Sequence, residues 1–191
     1  MIGERRARSL AAFAFVASSF VLWSAGARAA VFTIADAAAR LQDGHYVLDA
    51  TVKYAFSDAV LEALGHGVPL VVELHVELRR ESAWLWEPDV ADLRVRSQIR
   101  YSPLSATYQT TNLDTGLQRT FATRDAAIGA IGEVRQLPVV AVSALEPGQP
   151  YLLSLRAALD IEALPLPLRP RAYLSQDWNL SSEWSRWRLR P

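Results

Sequence analysis

Glu73, His75 and Glu77 stand at alternate positions of the chain, and they are the first residues whose types and spacing suggest chemistry. On an extended strand such residues share a face, with about 6.5–7 Å between neighbours. A metal ion could use His75 with one glutamate only if another strand supplied further ligands. His45 and His66 lie in turn-like contexts with no fixed relation to His75. A solvated, ion-paired face is therefore the expectation, and neither a metal nor a cofactor is predicted. Glu73 and Glu77 would lie about 13 Å apart on one strand, outside either carboxylate geometry of glycoside hydrolysis. Asp36, Asp49, Asp160 and Asp177 could meet only through folding; a hydrolase built from such carboxylates is the third of three functional readings. The chain has no Gly-x-Ser-x-Gly elbow, no phosphate-binding glycine loop and no dinucleotide fingerprint. With no cysteine either, thiolate nucleophiles and thiolate metal sites are absent. No catalytic residue is assigned, and a non-enzymatic role is expected.

The elements that must carry these residues centre on Leu70–Tyr101. Leu70, Val72, Leu74, Val76 and Leu78 occupy one side of an extended run, and Glu73, His75, Glu77 and Arg79 the other. The return run places Leu93, Val95, Ile99 and Tyr101 opposite Arg94, Arg96, Gln98 and Arg100. Period two in both, acids facing arginines, predicts an amphipathic antiparallel pair over a core. Trp84 and Trp86 keep the parity of the apolar side, so the first strand is expected to run on and bury them.

Before this pair, Val31–Leu41 reads as a bent strand, Asp43-Gly44 as a hairpin turn, and Tyr46–Tyr54 as a second strand. Ser57 caps a short helix over 58–64, stopped by Gly65 and Gly67 before Pro69. After it, Ala106–Leu113 and Leu117–Phe121 form a polar hairpin suited to a sheet edge. Thr123 caps a helix with Ala127, Ile128, Ile131 and Val134 at helical spacing, weakened by Gly129 and Gly132 at about 1 kcal/mol each. Val139–Val142 is a short strand and Tyr151–Ile161 a longer one. The prolines of Leu164–Pro170 rule out an interior strand and predict an extended crossover or protected edge. Tyr173–Leu189 is expected to be a last strand or hairpin. The fold class predicted is all-β: an antiparallel β-sandwich, immunoglobulin-like in general architecture, with two short helices.

The chain opens with Arg5, Arg6 and Arg8, an apolar run Leu10–Trp23, and Ala27-Arg28-Ala29. That is the pattern of an export signal with a small-residue cleavage site, and the run is shorter than the ~20 residues of a spanning helix. The organisation expected is a signal peptide over 1–29 and one domain over 30–191, located in the periplasm. The alternative is an inner-membrane anchor formed by residues 10–24. Removing Arg5, Arg6, Arg8, Arg28 and Glu4 leaves 16 basic against 19 acidic residues, a net −3. Its arginines alternate with apolar residues along strands instead of clustering, so no nucleic-acid partner is predicted. Without cysteines, stability must come from packing.

Certain pieces resemble a family of exported proteobacterial proteins catalogued as a domain of unknown function (DUF4390). They are Leu48-Asp49-Ala50, the Ala63-Leu64…Gly67-Val68-Pro69-Leu70 turn, the tryptophan pair, Arg100-Tyr101, and the Leu164–Pro170 run followed by Trp178 and Trp184. The resemblance spans nearly all of residues 30–191. It implies a single-domain bacterial envelope protein and brings no activity, cofactor or catalytic residue.

Trp178, Trp184 and Trp187 lie among polar and arginine residues. Trp184 and Trp187 differ in parity, so a flat strand cannot bury both. Either a bulge turns one inward, or one stays accessible with Arg186 or Arg188 stacked on it. Trp178, Trp184, Arg186, Trp187 and Arg188 are thus the predicted partner-binding residues. The leading reading is a periplasmic interaction module whose partner is another envelope or inner-membrane protein, its N-terminal segment engaging the export machinery. The second is a carrier of an apolar or lipid-like ligand held between sheets.

Overall fold

The computed structural model describes residues 31–84 and 86–190. The predicted signal or anchor, 1–29, lies outside the described residues.

Among the described residues, nine strands form two wholly antiparallel sheets. β1 (Thr33–Gln42) and β2 (His45–Lys53) turn through Asp43-Gly44, and β7 (Glu133–Ala141) pairs on the far side of β2. The larger sheet holds β3 (Leu70–Arg80), β4 (Ala91–Ser102), β5 (Thr107–Asn112), β6 (Gln118–Phe121), β8 (Tyr151–Leu159) and β9 (Ser185–Leu189), in the order β6-β5-β4-β3-β8-β9. The hairpin β5–β6 ends at an edge, as its polar faces predict.

The alternation that defines β3 is realised in burial. Leu70, Val72, Leu74, Val76 and Leu78 are almost wholly enclosed. They share one core with Leu48, Ala50 and Val52 of β2, Ile99 of β4, and Tyr151, Leu153, Leu155, Ala157 and Leu159 of β8. A register slip of one residue would turn this face to water, so burial fixes the pairing. Fully burying a Val or Leu side chain contributes about 1.5–3 kcal/mol each, and the apolar rows of β3 and β8 supply the thiol-free chain's main stabilisation.

Helix α1 (Asp58–Gly65) begins where expected, with the Ser57 hydroxyl accepting from Val60 N at 3.3 Å. Gly67, at φ +83°, makes the left-handed turn that leads into β3. Helix α2 (Arg124–Gly132) is capped by Thr123, which accepts from Ala126 N at 3.3 Å. It stops at Gly132: a Cβ there would stand 2.2 Å from the Val52 carbonyl oxygen, so the glycine allows α2 to press against β2. Val134, counted on the helix by spacing, instead belongs to β7, which starts directly at Glu133 and pairs Val134 with Ala50.

Three further expectations fail. The Leu164–Pro170 run is not extended: it forms a 3₁₀ turn, Leu166–Leu168, followed by a third helix, α3 (Arg169–Leu174). Proline lacks a donor the first helical turn does not need, and its fixed φ suits that turn. Tyr173 accordingly lies in α3, and only Ser185–Leu189 of the C-terminal stretch is strand. β3 also ends at Arg80. Glu81 and Ser82 turn the chain out, so the strand parity that predicts burial of Trp84 and Trp86 no longer holds there.

Candidate functional site

The outer face of the large sheet carries the charges. In register across β4, β3 and β8 run the rows Arg96–Glu73–Ala158, Arg94–His75–Arg156 and Asp92–Glu77–Ser154. Arg94 Nη1 stands 3.6 Å from Glu73 Oε1, an ion pair across the ladder. The alternation expected of acids against arginines breaks at the third row, where Glu77 faces Asp92. His75 lies between the two: Nε2 is 2.7 Å from Asp92 Oδ1 and 3.5 Å from Glu77 Oε1. The imidazole thus bridges two neighbouring carboxylates. Asp92 was missed from the sequence because its place depends on the length of the β3–β4 loop. Among the described residues, no group of three or more His, Cys, Asp or Glu side chains could hold a metal ion, and no Asp or Glu is fully buried. Asp49 pairs with Arg40, Asp160 caps a 3₁₀ turn by accepting from Ala163 N, and Asp177 accepts from the Ser175 hydroxyl.

The predicted partner-binding residues separate. Trp178 is buried in the core, because the 3₁₀ turn Gln176–Trp178 folds it inward, and it is removed from the surface set. β9 settles the parity of the other two. Trp187 pairs with Leu153 and packs against the core. Arg186 and Arg188 pair with Ser154 and Leu152 and point to the outer face, both exposed. Trp184, just before the strand, packs beside His75, ring centroids 5.3 Å apart and tilted 60°. Neither arginine stacks on it. Arg188 instead reaches Glu81 at 2.6 Å, which ties β9 to the loop that follows β3.

That loop carries the side chains that were expected inside. Trp84 is 65% and Trp86 77% exposed, and their rings stack on each other, centroids 5.3 Å apart and planes 12° from parallel. The loop that presents them is well tethered. Arg79 Nη2 donates to the Trp84 and Glu87 carbonyls, each at 3.3 Å. Its Nε is enclosed 2.7 Å from Asp89 Oδ1, within ion-pair reach although not aimed for a hydrogen bond. Glu87 N donates to Trp84 O at 3.0 Å, Val90 N to Leu78 O at 2.8 Å and Glu81 N to Pro150 O at 2.9 Å. Arg80 meets Glu146 at 2.7 Å. A sequence signal existed: Glu81-Ser82 and Glu87-Pro88-Asp89 bracket the pair closely, and such turn chemistry outranks parity.

Two open grooves lie elsewhere. One of about 520 Å³ is lined by Lys53, Tyr54, Phe56, Leu61, Arg124 and Ile128, among others, where α2 meets the end of β2. Tyr54 packs edge-on to Phe32 at 4.8 Å, and burial pushes its phenol above the ordinary tyrosine range although part of the side chain borders the groove. The other, about 420 Å³, opens between β5 and β7.

Comparison with curated proteins and with solved structures finds no match. The family model described as a domain of unknown function (DUF4390) matches residues 29–188. With nearly every described strand and helix inside that span, the chain belongs to the DUF4390 family.

Proposed function

We propose that this protein is a non-enzymatic, exported interaction module that binds another protein of the bacterial envelope through its β3–β4 loop. The stacked, exposed Trp84–Trp86 pair on a tethered loop carries the reading. Tryptophan is enriched at interface hot spots, and a loop already held by Arg79, Asp89 and Glu87 loses little entropy on binding. Arg188 and Arg186 on the adjoining outer face, with Trp184 beside His75, extend the surface with the polar and aromatic rim such contacts use. The partner expected is an envelope or inner-membrane protein, and the N-terminal segment directs the domain to the periplasm or holds it at the inner membrane. A photo-crosslinking amino acid at Trp86 should trap one defined envelope protein; the same group at Gln109, on the outer face of β5, should not. Equal, diffuse labelling from both positions would reject the reading.

A second reading rests on the groove beside Tyr54, whose volume lies in the range of small-molecule pockets. There the protein carries an apolar, lipid-like ligand, and native mass spectrometry of freshly purified protein should show a bound mass that Ile128→Arg removes. An unliganded mass alone would dismiss it.

A further inference from the structure

The two ends of the sandwich differ in chemistry. The tryptophan loop marks one. At the other, the N-terminal pole, the described chain begins: Thr33 pairs with Lys53, and Phe32 packs on Phe56 at 5.3 Å just before α1. The start of β3 and the ends of β4 and β8 meet at this pole, since Leu70 pairs with Ile99 and Val72 with Leu159. The C-terminal crossover is fastened to it. Asp160 N donates to Val71 O at 2.8 Å, and the Ser57 hydroxyl donates to Asp177 O at 2.7 Å.

From this crossover Leu166, Tyr173 and Leu174 project into solvent, Leu174 at 90% exposure, while Leu164 and Ala172 of the same segment are buried. Leu104 on the β4–β5 turn is also fully exposed. These are apolar side chains on a short segment that already has a buried side, so packing within the domain does not account for them. Ahead of Val31 in the sequence stand the apolar Leu10–Trp23 and a short stretch rich in alanine. Fully extended, the chain from Trp23 to Val31 reaches about 29 Å at most. Whenever that apolar segment sits in a bilayer, this pole is the part of the fold held closest to lipid.

We propose that the N-terminal pole rests on a lipid bilayer surface, with Leu166, Tyr173 and Leu174 entering its interfacial zone and the tryptophan loop directed away from it. Leucine and tyrosine beside arginines such as Arg169 and Arg171 suit that zone, where apolar bodies sink and charged heads remain wet. Acids share the pole, among them Asp58, Glu62, Glu162 and Asp177, so the contact is apolar in origin and insensitive to salt. Which membrane is met, and the tether that holds this pole near it, rest on the export reading above; the exposed apolar side chains that would make the contact do not.

The chain has no cysteine, so a single probe site is unambiguous. Full-length Gln176→Cys, Trp86→Cys and Gln149→Cys variants, the last two at the opposite end where Glu81 N meets Pro150 O, each labelled with an environment-sensitive fluorophore, would be reconstituted in phosphatidylethanolamine/phosphatidylglycerol vesicles containing a spin-labelled lipid. Quenching at 176 should exceed that at 86 and 149 severalfold, should persist in high salt, and should fall to their level in L166S/Y173S/L174S. Equal quenching at the three positions, or quenching at 176 that survives the triple substitution, overturns the proposal. So does shielding of 176 from an aqueous quencher without lipid quenching and with doubled mass, which would make a second copy the occupant. Labelling of Trp86→Cys in intact cells by an impermeant maleimide tests export separately: its failure would remove the periplasmic reading and leave the vesicle result standing.

Discussion

Gly132→Ala and Gly129→Ala make the same chemical change three residues apart on α2, and the structure gives them opposite signs. From helix propensity alone each alanine should stabilise the protein by about 1 kcal/mol. At Gly129 nothing lies within 4 Å of the added Cβ, so the gain stands. At Gly132 the Cβ would meet the Val52 carbonyl oxygen at 2.2 Å and its carbon at 3.3 Å. Both belong to β2 backbone, which cannot rotate away as a side chain would. Restoring an ordinary 3.4 Å contact moves α2 or β2 by about 1.2 Å. Overpacking of this kind typically costs about 1–3 kcal/mol, and a backbone obstacle belongs at the upper end. Set against the propensity gain, Gly132→Ala should lower stability by about 1–2 kcal/mol. The two variants should then differ by roughly 2–3 kcal/mol, or about 4–12 °C in Tm for a domain of this size. Equilibrium urea unfolding reads this directly, as midpoints displaced to opposite sides of wild type with unchanged slopes. A Gly132→Ala midpoint at or above wild type would refute the close approach of α2 to β2, and with it the floor of the groove beside Tyr54.

Trp178→Ala should cost about 3–5 kcal/mol because its ring fills the core, a loss visible as a large drop in Tm. Arg79→Met removes the donor to Trp84 O and Glu87 O and leaves Asp89 without its ion pair; the local loss is about 1–3 kcal/mol. Amide exchange at Glu87 and Val90 should then quicken while that at Leu74 stays slow. Tyr54 supplies a pH test. Its folded phenol is pushed above the ordinary value of about 10, so the unfolded chain loses this proton first. The contribution of Tyr54 is therefore intact below pH about 10 and is lost as pH rises above it. Tyr54→Phe should flatten the alkaline fall in stability, read as a smaller drop in the urea midpoint between about pH 9 and about pH 11. An unchanged alkaline slope in Tyr54→Phe would contradict the burial.

The strands were legible where period two was unbroken. Leu70–Leu78 and Leu93–Tyr101 fell into register as their faces required, and Ser57 and Thr123 marked their helices by offering a cap. Legibility ended where one periodic signal met a turn. Val134 continued a helical spacing that Gly132 had already ended, and Trp84 and Trp86 continued a strand parity that Glu81-Ser82 had broken. Parity describes a strand only while the strand lasts. At the C-terminus the prolines excluded a ladder correctly, but exclusion of strand left helix and extended chain open, and proline's tolerance in a first helical turn decided between them. The site followed the same logic. The parity difference between Trp184 and Trp187 was readable and is realised as one ring outward beside His75 and one inward against Leu153. That Arg188 reaches Glu81, and that Asp92 reaches His75, are contacts made across loops whose course no local pattern specifies.

The most direct test of a binding surface at the β3–β4 loop is the affinity of the protein trapped at Trp86 for the W84S/W86S variant. Two exposed hot-spot residues at about 2 kcal/mol each predict a loss approaching three orders of magnitude, with Tm unchanged because neither ring supports the core. Binding at wild-type affinity by a folded W84S/W86S protein would place the contact elsewhere and contradict the account.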